Sequence, residues 1–188
     1  MHINCNELTI RPATAEDAAQ LCVWWNDGSI MAHAGFPNGL GITPEKVAAN
    51  IAANNEKRRL FIIEHHSQPV GEMSYHITKD SDKTAEIGIK ICDFALHEKG
   101  PGTTLLTIFI DALFDHMGCK KILIDTNLHN KRAQHVYEKK LGFRFLHVAK
   151  DFWKDQLGQP QSSVHYEMTP EDWQGGRKDI PKYVITKN

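Results

Sequence analysis

Leu8, Thr9, Ile10, Arg11 and Pro12 alternate apolar and polar side chains, the two-residue period of a strand with one buried face. Thr14 to Asp17 then has the S/T-x-x-D/E form of a helix entry, which predicts a helix over 15–26. Asp27-Gly28 ends it, and Gly35, Pro37, Asn38, Gly39 and Gly41 predict a long ordered loop. Thr43-Pro44-Glu45 opens a second helix reaching about 55, because Thr caps free amides and Pro is tolerated at the first helical position. Three strand-like runs follow at 59–64, 70–77 and 84–91. His66-Ser67-Gln68-Pro69 and Lys79-Asp80-Ser81-Asp82 divide them, as in an antiparallel meander. Beyond Gly100-Pro101-Gly102 an apolar helix over 103–117 stops at Gly118, and a strand at 121–125, a helix at 130–140 and strands at 143–148 and 164–168 complete the pattern.

The order β-α-α-β-β-β-α-β-α-β-β indicates a mixed α/β (α+β) architecture of about seven strands flanked by helices, without repeats or a low-complexity linker. The 188 residues, 41% of them hydrophobic, suit one domain with a sizeable core, expected over 1–173 with a peripheral tail at 174–188. Charge narrows the function classes. Twenty-two Lys and Arg against 23 Asp and Glu leave no basic field for phosphate neutralisation, so no nucleic-acid partner is expected. Cys5, Cys22, Cys92 and Cys119 show neither a disulfide framework nor metal-ligand spacing, which fits packing residues in a reducing cytoplasm. The sequence has no apolar run of membrane-span length, and residues 1–7 lack the regions of a signal peptide. His65-His66, and His129 with His135, find no third ligand at compelling spacing, and 11 histidines make chance pairs common, so no metal is expected.

His97-Glu98-Lys99-Gly100-Pro101-Gly102-Thr103-Thr104 joins a strand to a helix, where backbone amides and the positive helix end can converge on an anion. Alone, a Gly-Pro-Gly before a helix is more often a plain turn. Here it follows Ala85-Glu86-Ile87-Gly88-Ile89-Lys90-Ile91 and resembles the Q/R-x-x-G-x-G/A acetyl-coenzyme A loop of the GNAT acetyltransferases. Downstream, Asn130, Ala133, Tyr137-Glu138-Lys139 and Gly142-Phe143 resemble the same superfamily's N-x-x-A-x-x-x-Y-E-K-x-G-F signature. The resemblance covers roughly residues 8–173 and is strongest to the ribosomal-protein and aminoglycoside branches. It departs at His97, where Gln or Arg is usual, in a loop one residue longer after Ile91, and in one extra residue between Tyr137 and Gly142.

That resemblance implies a mostly antiparallel GNAT sheet splayed between strands 84–91 and 121–125, with the pantetheine arm of acetyl-coenzyme A in the gap. It implies binding by the amides of Ile89, Lys90 and Ile91, by the loop residues His97, Lys99, Gly100, Pro101, Gly102, Thr103 and Thr104, and beside Asn130 and Ala133. An alkylamine of pKa about 10.4 is uncharged in roughly one molecule in a thousand near neutral pH, so a base must remove a proton. Glu86 leads for that role, with Glu72, His76 and Asp125 as rivals; Tyr137 stands where the family's helix tyrosine protonates the departing thiolate. Trp24, Trp25, Asp27, Met31, His33 and Phe36 occupy the segment that usually selects the amine, although any one of them taken alone reads more readily as core or turn. A protein N-terminus, an aminoglycoside, a polyamine and a small metabolite all remain open as acceptors, as does a catalytically silent acetyl-coenzyme A-binding module. A homodimer is one form such a protein takes.

Overall fold

The computed structural model describes residues 1–79, 81, 83–97, 99–176 and 180–186. Asp80 and Asp82 of the expected turn, Glu98 of the glycine loop, and residues 177–179, 187 and 188 of the tail lie outside the described residues. The elements are β1 (His2–Cys5), β2 (Leu8–Pro12), α1 (Ala18–Asn26), α2 (Gly28–Met31), α3 (Pro44–Ala52), β3 (Arg58–His65), β4 (Gln68–Lys79) and β5 (Thr84–Ile91). They continue with α4 (Pro101–Asp115), β6 (Lys121–Asn127), α5 (Lys131–His135), β7 (Arg144–Lys154), β8 (Pro160–Met168), α6 (Pro170–Gly176) and β9 (Val184–Thr186). The sheet order is β7-β8-β6-β5-β4-β3-β2-β1-β9. Among the described residues nine strands replace the expected seven. The two additional strands, β1 and β9, are only four and three residues long, too short for a period to register, and they pair with each other through Ile3 and Ile185.

Contacts divide the chain into two compact units, the first made of Met1–Ala13, Asn54–Leu123 and Met168–Asn188. Its antiparallel strands β2 to β5 contribute Ile10, Phe61, Ile63 and Met73 to the core, and α4 contributes Leu105, Ile108, Phe109 and Leu113. Phe61 and Phe109 meet edge to face at 5.5 Å, a favoured aromatic geometry. On α4 the buried side chain of Asp111 accepts hydrogen bonds from Trp173 Nε1 (3.0 Å) and Tyr183 Oη (2.7 Å), so the segment after β8 is fastened by a hydrogen-bonded buried polar group. The parallel ladder between β5 and β6 pairs Thr84 with Lys121, Ala85 with Ile122 and Glu86 with Leu123. The remaining residues of β5 are aligned with β4, Ile91 standing opposite Gly71.

The second unit comprises Thr14–Ala53 and Ile124–Glu167. Its helix entry forms as the S/T-x-x-D pattern predicts: the Asp17 carboxylate accepts from the Thr14 N–H at 2.7 Å. α1 and α3 pack through Leu21, Trp24, Val47 and Ile51, all buried. The expected loop after Asn26 instead contains α2 and a 3-10 turn at Ala32–Ala34. Asp27 is the reason, since its Oδ1 accepts from Ser29 N (2.8 Å) and Ser29 Oγ (2.6 Å) and caps a new helix where the sequence reads as a break. The expected helix over 130–140 is α5 followed by a π-helical turn, Val136–Lys140. A single extra residue in a helix is absorbed in this way, by a five-residue hydrogen bond, here from Leu141 N to Val136 O at 3.0 Å.

Candidate active site

In the first unit β5 ends where the amides of Cys92 and Asp93 both reach the carbonyl of Val70 (2.8 and 3.1 Å). The chain then makes a 3-10 turn, Phe94–Leu96, capped by Asp93 Oδ1 accepting from Ala95 N, and this turn accommodates the longer loop. His97 folds back beneath it. Its Nε2–H donates to the Ile91 carbonyl at 2.8 Å and its ring stands edge-on to Phe94 at 4.9 Å, so the residue that departs from the family pattern braces the loop. Lys99 is exposed, while Ile89, Lys90 and Ile91 are half-buried. Glu72 is buried and ion-paired with Lys90 at 2.6 Å. Glu86 is exposed on β5, opposite His76 of β4, which is also exposed.

Gly100 caps α4 with φ of 97°, a left-handed backbone that favours glycine. Pro101 takes the first helical position, where its missing N–H costs nothing. Thr103 N and Thr104 N both return to Gly100 O (3.0 and 3.2 Å). The Gly102 amide has no acceptor among the described residues. Gly102 itself is not required by the fold: its φ is ordinary, and a Cβ there would meet only Ile91 Cγ1, at 3.8 Å. Glycine in a helix costs roughly 1 kcal/mol relative to alanine, so a glycine needed neither for conformation nor for packing points to something outside the chain that approaches this turn. The turn thus has an open Cβ position and an amide without an acceptor among the described residues.

In the second unit Asn130 caps α5, its Oδ1 accepting from Ala133 N at 3.2 Å. Tyr137 follows on the π-helical turn with its ring buried against Phe143 (6.1 Å) and Tyr166 (6.0 Å). Burial pushes the phenol well above its ordinary value, and Asp125 and Tyr166 add to the effect, so Tyr137 is protonated throughout the neutral range. Asp125 keeps exposed surface, yet desolvation raises its carboxyl, with His165 acting in the opposite sense. His165 stacks on His147 at 4.6 Å and shares a hydrogen bond of 2.7 Å with the buried Ser163, a group that no local sequence pattern announces.

Trp24 and Met31 are buried and serve packing. Trp25 is half-buried, and Asp27, His33 and Phe36 are exposed. Hydrogen bonds to Ser29 hold the Asp27 carboxyl below the usual range. The segment they belong to is fastened to the β7–β8 hairpin. Gly35, at φ of 91°, lies so close to Trp153 that a Cβ would overlap the indole. Gln156 N donates to Gly35 O (2.8 Å), and the Gln156 side chain joins Asn38 N and Gly39 O, both at 2.9 Å. Gln156 is separated from these partners by about 120 residues, and nothing in its own neighbourhood signals the role.

Among the described residues no helix is long and apolar enough to cross a membrane. Residues 7–144 match the family model described as the acetyltransferase (GNAT) domain. Among curated proteins the sequence finds no match. The chain is similar in structure to a spermidine N-acetyltransferase from Vibrio cholerae in complex with coenzyme A and spermine: TM-score 0.78, 20% identity, 89% of this chain and 98% of that one. It is also similar to the ribosomal-protein alpha-N-acetyltransferase RimL in complex with coenzyme A (TM-score 0.79, 14% identity, 90% and 98%). A third similar structure is an aminoglycoside acetyltransferase in complex with coenzyme A (TM-score 0.71, 22% identity, 91% and 99%). With the family model spanning most of the chain, the protein belongs to the GNAT acetyltransferases, the acetyl-coenzyme A-dependent N-acetyltransferases.

Proposed function

We propose that this acetyltransferase acts on a small-molecule or peptide amine by direct attack in a ternary complex, with the glycine turn of α4 holding the pyrophosphate of the donor. Gly102 carries the reading, because an amide without an acceptor among the described residues and an open Cβ position coincide at the first turn of a fifteen-residue helix. Bound acetyl-coenzyme A supplies the thioester whose acetyl group is transferred. Amides at Gly100 and Gly102 bind phosphate oxygens, and the hydroxyls of Thr103 and Thr104, whose own amides return to Gly100 O, are within the same turn. Ile89, Lys90 and Ile91 offer backbone groups to the pantetheine amides and to the thioester oxygen as it gains charge.

Glu86 takes the proton of the amine, directly or through water, from its exposed position on β5. The role of Tyr137 at the thiol rests on the spacing Asn130, Ala133, Tyr137 standing as in the family. Its phenol is a weaker acid than a thiol of pKa about 8.5, so it acts first by donating a hydrogen bond to the departing thiolate. The ammonium loses one proton to Glu86, which passes it to solvent; after attack the nitrogen loses a second, which reaches the departing thiolate through the hydrogen-bonded phenol, so Tyr137 ends protonated. Asp27, His33 and Phe36 are the exposed members of the acceptor segment, and a carboxylate with an aromatic ring suits a cationic amine.

Release of free coenzyme A across a panel of polyamines, aminoglycosides and short peptides tests this reading. Turnover with at least one class above the rate of thioester hydrolysis is expected. Binding of acetyl-coenzyme A without amine-dependent release from any of them would overturn it in favour of a silent binding module.

A further inference from the structure

Two adjacent histidines gain a third partner through the fold of the first unit. His65 is the last residue of β3, and His66 begins the turn into β4. Both His66 (φ 50°) and Ser67 (φ 61°) adopt the left-handed region, as the two-residue turn of a β-hairpin requires. Successive residues of a strand point to opposite faces, but the turn at His66 brings its ring to within 4.3 Å of that of His65. The turn between β1 and β2 lies alongside. His66 N donates to Glu7 O at 2.9 Å and Leu8 is in register with His65, so backbone pairing fixes Glu7 beside both rings. Glu7 Oε2 stands 3.6 Å from His65 Nε2 and 3.3 Å from His66 Nε2, and all three ligand atoms lie within 4.8 Å of one another.

We propose that Glu7, His65 and His66 form a binding site for a divalent transition-metal ion of the zinc, nickel or copper type. Bonds of about 2.0–2.2 Å to nitrogen and carboxylate oxygen give a tetrahedron with edges of about 3.3–3.6 Å, the separations observed between the carboxylate and the two imidazoles. Two imidazoles and one carboxylate favour borderline ions over magnesium or calcium, which require six or more oxygen ligands. Three protein ligands leave a position for water. The ion joins the β1–β2 and β3–β4 turns at the start of β4, whose Val70 carbonyl holds the end of β5.

Calorimetric titration of the untagged full chain with nickel chloride, beside histidine ring resonances in NMR, tests the site. One equivalent is expected to bind, shifting or broadening only His65 and His66 among the 11 histidines. Glu7→Gln and His66→Asn should each weaken binding at least tenfold; asparagine tolerates the left-handed backbone, so His66→Asn keeps the turn. Excess calcium should leave the nickel isotherm unchanged. No binding at millimolar nickel, or unchanged affinity in both variants, overturns the proposal and leaves the cluster as an ordinary histidine–carboxylate pairing.

Discussion

Replacing Gly102 by alanine separates what the fold needs from what the cofactor needs. A Cβ at this position meets only Ile91 Cγ1, at 3.8 Å, which is ordinary van der Waals contact, and the backbone is already helical. Alanine should therefore stabilise the free protein by part of the helix-propensity difference, about 0.5–1 kcal/mol. At roughly 2–4 °C per kcal/mol for a chain of this size, Tm should rise by about 1–4 °C. The same methyl group stands between the turn and the end of β5, in the space assigned to the phosphates. Acetyl-coenzyme A affinity should then fall at least tenfold, about 1.4 kcal/mol. Differential scanning calorimetry of the free variant and isothermal titration with acetyl-coenzyme A give the two quantities on one sample. A higher Tm with unchanged Kd would refute the loop assignment, and a lower Tm would refute the claim that the fold does not require this glycine.

Tyr137→Phe should lower kcat by the order of 10²-fold while leaving acetyl-coenzyme A Kd nearly constant, measured by steady-state kinetics and titration. Burial raises the Tyr137 phenol above its unfolded value of about 10, so its contribution to stability is full below that pH and is lost as pH rises beyond it. Melting curves at about pH 9 and pH 11 should accordingly show a smaller alkaline loss in Tyr137→Phe than in the parent. Asp111→Ala leaves Trp173 Nε1 and Tyr183 Oη without their acceptor and should cost about 2–4 kcal/mol in urea unfolding. Phe36→Ala and Gln156→Ala should raise KM for the amine but not for acetyl-coenzyme A; Asp27→Asn keeps the helix cap and so reports on charge recognition alone. Unaltered amine KM in all three would move the acceptor site elsewhere.

The sequence makes the long elements legible because their periods repeat: β5 spans Thr84–Ile91 as read, and α4 differs by two residues at each end. It hides what depends on a single side chain or on distant pairing. Asp27 turns an apparent loop into α2 by capping Ser29, and propensity alone favours the break. The extra residue after Tyr137 is visible as a departure from the family spacing, but its outcome, a π-helical turn instead of a displaced helix, is settled by packing of Tyr137 and Leu141. Glu7 lies nearly sixty residues before His65, so the third member of that cluster appears only when β2 pairs with β3. His97 illustrates the opposite case, a residue conspicuous in sequence whose use is to hold the Ile91 carbonyl.

The most direct test of the account is NMR of the chain labelled with nitrogen-15 at its 13 glycines and titrated with coenzyme A. If phosphate oxygens are bound by the first turn of α4, the amides of Gly100 and Gly102 shift downfield and saturate together, because a charged acceptor strengthens their hydrogen bonds. Saturable shifts confined to other glycines, with Gly100 and Gly102 unmoved, would contradict the central claim.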